Sequence, residues 1–98
     1  MKYRIGYSPE TEGHLQALTR RQQVIVLDTV EKQLQYQPAV ETMNRKLMRP
    51  NPIAPWELRI RSLRVYYDVD EGEYAVYILA VGVKERNNVK IGKEVIKL

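Results

Sequence analysis

The sequence predicts an α+β fold: an N-terminal strand, then a helical hairpin packed on one face of a mainly antiparallel sheet of four or five strands. Three observations predict it. A short alternating run opens the chain, two segments with helix-start chemistry and helical apolar spacing follow, and beyond Trp56 the pattern becomes that of strands. With 98 residues there is enough chain for one domain, residues 1–98, built around one core.

Residues 2–7, Lys-Tyr-Arg-Ile-Gly-Tyr, alternate and read as a short strand. Ser8-Pro9 then starts a helix: Ser8 is placed to cap the open N–H groups, and Pro9 suits the first helical position. This helix runs to about Leu18, with Leu15 and Leu18 inward. Thr19-Arg20-Arg21-Gln22 fits a capping box and restarts the chain as a second helix. Its apolar positions Val24, Leu27, Val30 and Leu34 recur at helical spacing, Ile25 widens the stripe, and Pro38 ends it. Four of the five prolines, Pro38, Pro50, Pro52 and Pro55, lie in residues 38–55, which therefore read as a long ordered loop.

From Trp56, apolar Trp56, Leu58 and Ile60 alternate with Glu57, Arg59 and Arg61. Leu63, Val65, Tyr67 and Val69 then alternate with Arg64, Tyr66 and Asp68. A hairpin turning at Ser62-Leu63 pairs Trp56 with Val69, Leu58 with Tyr67 and Ile60 with Val65 on one side, and Arg59 with Tyr66 and Arg61 with Arg64 on the other. Asp70-Glu71-Gly72-Glu73 makes the next turn, and residues 74–81 form an apolar strand of the kind buried on both faces. In the tail, Val89 and Ile91 alternate and Gly92-Lys93 turns the chain into a last strand from Glu94 to Leu98, with a short C-terminal helix as the competing reading. The hairpin of helices covers one sheet face, and the arginines occupy the other.

Composition excludes several classes of chemistry. There is no cysteine, hence no disulfide framework or thiolate metal site, and the single histidine, His14, cannot build a zinc site or serve most triads. No cofactor or metal is expected. His14 reads as a surface or partly packed helix residue, and Trp56 as core. The first residues lack the apolar stretch of a signal peptide and no run reaches the roughly 20 residues of a membrane span, so a cytoplasmic location is expected. The net charge is +4, and residues 45–64 concentrate six cations (Arg45, Lys46, Arg49, Arg59, Arg61, Arg64) against Glu57 alone. Such a local excess suits a polyanionic partner.

Guanidinium groups brought together on one sheet face match phosphoryl oxygens, and like charges facing one another cost stability unless an anion visits. Arg59, Arg61, Arg64 and Tyr66 form such a patch in the inferred hairpin, with Arg45, Lys46 and Arg49 available from the loop as further RNA contacts. Lys84 and Arg86 follow the apolar strand at its end, and Lys90 comes next. RNA can be cut without metal or histidine when its own 2′-hydroxyl attacks the neighbouring phosphate, given a base, cations for the growing charge, and an acid for the leaving oxygen. A lysine crowded by arginines can act as base, and Lys84, Lys90 and Lys46 all remain open for that role.

At Trp56-Glu-Leu-Arg-Ile-Arg-Ser-Leu-Arg-Val-Tyr-Tyr-Asp-Val69 and Ile78-Leu-Ala-Val-Gly-Val-Lys-Glu-Arg86 the chain resembles the RelE/ParE superfamily of toxins from type II toxin–antitoxin systems, with the RelE-like branch favoured. The resemblance spans nearly the whole chain. It implies a RelE-like fold and a metal-independent mRNA endonuclease that acts on the ribosome, silenced by a cognate antitoxin covering the basic face. Under it, Arg64 corresponds to the strand arginine, Lys84 to the basic residue past the glycine, and Arg86 to the second cation. Arg59 and Glu57 stand where the branch has lysines, and Lys90 where it has a C-terminal tyrosine. The alternatives implied are a ParE-like inhibitor that binds DNA gyrase without chemistry, and a degenerate homologue that binds only its antitoxin.

Overall fold

The computed structural model describes residues 1–97. The elements run β1 (Arg4–Tyr7), α1 (Pro9–Gln16), α2 (Arg20–Leu34), β2 (Arg45–Leu47), β3 (Trp56–Ile60), β4 (Leu63–Asp70), β5 (Ala75–Glu85), β6 (Asn88–Ile91) and β7 (Glu94–Lys97). The expected α+β class is observed, with a sheet of seven strands where four or five were anticipated. The additional strands are short. β2 forms inside the proline-rich stretch read as loop, and β6 and β7 make a hairpin of the tail, which is strand and not helix through Lys97. Leu98, expected in that last strand, lies outside the described residues.

The sheet order is β2-β3-β4-β5-β6-β7, antiparallel throughout, while β1 joins β5 in parallel. β1 and β6 lie against different halves of β5: β1 pairs with Ala75 to Ile78 and β6 with Gly82 to Glu85. Between them α1 covers the strand. The Ser8 amide and the Thr11 hydroxyl both donate to the Ile78 carbonyl, at 2.9 and 3.1 Å, and the Val81 amide donates to His14 Nδ1 at 3.3 Å. Three side chains spaced one helical turn apart thus meet backbone groups that a neighbouring strand would otherwise satisfy.

The expected cap at Ser8 is therefore not made: its hydroxyl lies 2.8 Å from the Thr11 hydroxyl and makes no side-chain cap. The capping box at Thr19 forms as expected, with Gln22 N donating to Thr19 Oγ1 at 3.1 Å and Thr19 N to Gln22 Oε1 at 2.9 Å. α2 turns a different stripe inward from the one anticipated. Val26, Val30 and Leu34 are fully buried, whereas Val24, Ile25 and Leu27 are exposed. The two stripes share Val30 and Leu34, and the inward i, i+4, i+8 row selects Val26 over its neighbours.

The β3–β4 register also differs. Trp56 pairs with Tyr67, Leu58 with Val65, Arg59 with Arg64 and Ile60 with Leu63, two residues away from the expected alignment. The turn is Arg61-Ser62, and Arg61 takes a positive φ of 55° there. A two-residue slip keeps every side chain on its face, so the alternation could not exclude it; the turn selects the register. The main core lies between α2 and the sheet, with Leu58, Val65, Ile78 and Val81 beneath Val26, Val30 and Leu34. On the opposite face a smaller cluster of Ala54, Tyr66, Ala80, Val89 and Ile91 supports the charged surface.

Candidate functional site

Alternation carries the even and odd residues of neighbouring strands to opposite faces, and this sorts the cations. On the face away from α2, β3 presents Glu57 and Arg59, β4 presents Arg64 and Tyr66, and β2 brings Lys46 opposite Glu57. The segment after β2 folds over them. Asn51 pins it: its amide nitrogen donates to the carbonyls of Arg49 and Ala54, at 2.7 and 3.0 Å, and its oxygen accepts from Ile53 N and Ala54 N. The sheet face and this strap enclose a cleft of about 630 Å³.

Five cations line the cleft, Lys46, Arg49, Arg59, Arg64 and Lys84, together with one carboxylate, Glu57. Arg59 Nε donates to Glu57 Oε1 at 2.8 Å; Arg59 is half exposed and Glu57 is buried. Arg64 is oriented differently, by Nη1 bonds to the carbonyls of Arg61 and Leu63. Among the described residues the only other ion pair is Lys32 with Asp28 on α2, so Lys46, Arg49, Arg64 and Lys84 have no carboxylate within salt-bridge distance. Four uncompensated cations around one concavity make an anion site.

The remaining sequence-predicted residues fall elsewhere. Arg45 faces the helix side, pairs with Leu58, and is buried with Nε bonded to the Val40 carbonyl at 3.0 Å and Nη1 to that of Gln33 at 2.8 Å. Lys90 faces the other way from Val89 on β6 and lies by His14 and Leu18. Arg61 and Arg86 sit at the tips of the β3–β4 and β5–β6 turns, both with positive φ. The expected Arg61–Arg64 cross-strand pair is replaced by Arg59–Arg64. Tyr66 is completely buried, so its ring offers no stacking surface. Its hydroxyl has no hydrogen-bond partner among the described residues, and burial, then the Glu57 charge, push its pKa up.

Glu57 is the cleft residue that the sequence reading left as a neutralising charge. Its signal was present: it is the only acid in a twenty-residue basic stretch and shares a face with Arg59. Asn51 carried no comparable signal, because its role depends on how the strap closes. Gly82 is explained by packing. It lies across from Arg64, and a Cβ there would come within 2.6 Å of the Lys90 carbonyl oxygen and 2.8 Å of Val89.

Comparison with solved structures shows where this arrangement recurs. The chain is similar to the toxin–antitoxin complex RelBE2 of Mycobacterium tuberculosis (TM-score 0.75, 20% identity, covering 86% of this chain and 93% of that one). It is similar to the archaeal RelE–RelB complex of Pyrococcus horikoshii OT3 (TM-score 0.69, 22% identity, 88% and 99% covered) and to the isolated E. coli RelE toxin (TM-score 0.66, 17% identity, 86% of each). No family model and no curated protein matches the sequence. The chain has a RelE-like fold.

Proposed function

We propose that this protein is the toxin of a toxin–antitoxin pair and an endonuclease that cuts ribosome-bound mRNA by attack of a 2′-hydroxyl on the adjacent phosphate. The cleft carries the reading: five cations and one acid converge on a space open to solvent, on the sheet face that α2 leaves free. In-line attack builds negative charge on the phosphoryl oxygens and on the leaving 5′-oxygen. Fixed guanidinium groups stabilise the first, and an ammonium can protonate the second. Arg64 and Arg59, paired across the β3–β4 ladder, are the phosphate ligands; Arg49 and Lys46 hold the flanking backbone; Lys84 stands on the next strand. Arg86, at a turn tip, and Lys90, on the opposite face, lie outside the cleft lining, so no catalytic role is proposed for them.

The similar folds include two toxins held by antitoxins, which supports a protein partner here too. A partner that covers the basic face would close the cleft to RNA, and the exposed Val24, Ile25 and Leu27 on α2 offer it an apolar anchor. No helix among the described residues is long and apolar enough to cross a membrane. Induction of the chain followed by primer extension on a reporter mRNA tests the reading: cuts phased with codons and translation arrest are expected. Arrest preceded by DNA-damage signalling, without cuts, would point to gyrase inhibition and overturn it.

A further inference from the structure

We infer that Glu57 is the general base of this cleavage and Lys84 the general acid, an assignment that rests on the nuclease reading above. At neutral pH, guanidinium and ammonium groups are donors with no lone pair to accept a proton. Glu57 is the one carboxylate lining the cleft. Arg59 Nε holds its Oε1 at 2.8 Å, while Oε2 takes no hydrogen bond from the described residues. The carboxylate is thus oriented by one oxygen and free to accept at the other.

Its burial supports this role over simple charge balance. Withdrawing a carboxylate from water is costly, and the only ion pair it gains is with a half-exposed arginine. An acid serving to neutralise the surface would sit among Lys46, Arg49, Arg64 and Lys84, which have no such partner. Glu57 instead lies beside its cross-strand neighbour Tyr66, whose buried hydroxyl also lacks a partner among the described residues. Two polar groups held in the sheet below an anion cleft, neither fully satisfied, mark where a substrate hydroxyl completes the set.

The step balances. Glu57 Oε2 takes the 2′-hydroxyl proton as the 2′-oxygen bonds to phosphorus. The bond from phosphorus to the 5′-oxygen breaks, and Lys84 Nζ gives that oxygen a proton. A 2′,3′-cyclic phosphate and a 5′-hydroxyl end result, and exchange with water restores both side chains.

The test is single-turnover cleavage of ribosome-bound mRNA by the full chain, with either the natural oxygen or a bridging sulfur at the scissile 5′ position. Sulfur leaves without protonation, so it rescues loss of the acid but not of the base. E57Q retains an oxygen to accept from Arg59 but cannot take a proton; it is expected to be slower by about 100-fold or more on both substrates. K84M is expected to be slow on oxygen and restored on sulfur. A rate for E57Q within about threefold of wild type, or its rescue by sulfur, overturns the base assignment. If circular dichroism shows E57Q unfolded, E57D replaces it, with the same sulfur-insensitive loss expected. Wild-type cutting with an active E57Q refutes this inference alone, whereas wild type that cuts neither substrate refutes the nuclease reading beneath it.

Discussion

Arg64 and Gly82 face each other across the β4–β5 ladder, and the absence of a side chain at 82 lets β6 close against β5 beside the arginine. Gly82→Ala is expected to push β6 outward, because the added carbon would meet backbone at 2.6 Å and not a yielding side-chain tip. A loss of about 1–3 kcal/mol is expected, read as a lower urea midpoint.

Arg64→Ala should leave the fold intact and remove cleavage. Its guanidinium touches only two carbonyls at the hairpin turn, so its structural share is small. Loss of a fixed donor to a developing oxyanion costs about 100- to 1,000-fold in rate. Single-turnover kinetics beside circular dichroism checks both halves. A well-folded Arg64→Ala protein that still arrests growth would contradict the proposed phosphate role.

Arg45→Met is expected to do the reverse. The buried guanidinium joins the C-terminal part of α2 to β2 through the Gln33 and Val40 carbonyls. Losing charge-assisted bonds of this kind should cost about 2–3 kcal/mol. Thermal unfolding should report that loss, while the RNA affinity of the folded fraction stays unchanged.

His14 makes stability depend on pH. Burial lowers its pKa, against the opposing pull of Glu10 and Glu94, and Nδ1 must stay unprotonated to accept from Val81. Lys90, Lys93 and Glu85 also line the spaces around it. Because the folded pKa lies below the unfolded value of about 6.5, the unfolded chain binds the proton first. Stability is therefore complete above that value and is lost as pH falls toward the folded pKa. Urea midpoints measured from pH 8 to 5 should drop for wild type, and His14→Asn, which keeps an acceptor but does not titrate, should remove that contribution.

Local chemistry was the most legible part of the sequence. The Thr19–Gln22 capping box and the division of Trp56 to Val69 into an apolar and a charged face follow from residues close in the chain. Where two solutions satisfied the same pattern, the pattern could not choose. This was so for the two stripes of α2 and the two hairpin registers that leave faces unchanged. The site was legible in the same measure. Arg59, Arg64 and Lys84 were placed by alternation, and Lys46 and Arg49 by charge density, although the strap that carries Arg49 over the cleft depends on Asn51. Arg45 has the residue type of an RNA contact, but its strand position turns it to the helix side. Thr11 and His14 gave no sign of their bonds to β5, since their partners lie far along the chain.

The parallel union of β1 with β5 has a consequence for the order in which the molecule assembles. An antiparallel hairpin can zip as soon as its turn emerges, but the opening segment must wait for a partner near the other end of the chain, across a long and entropically costly closure. During synthesis the cleft elements, which are neighbours in sequence, can meet first, and the N-terminal residues dock late. A newborn chain would thus present its cationic surface before its fold is sealed, so a guardian protein would need to be present while translation is still under way.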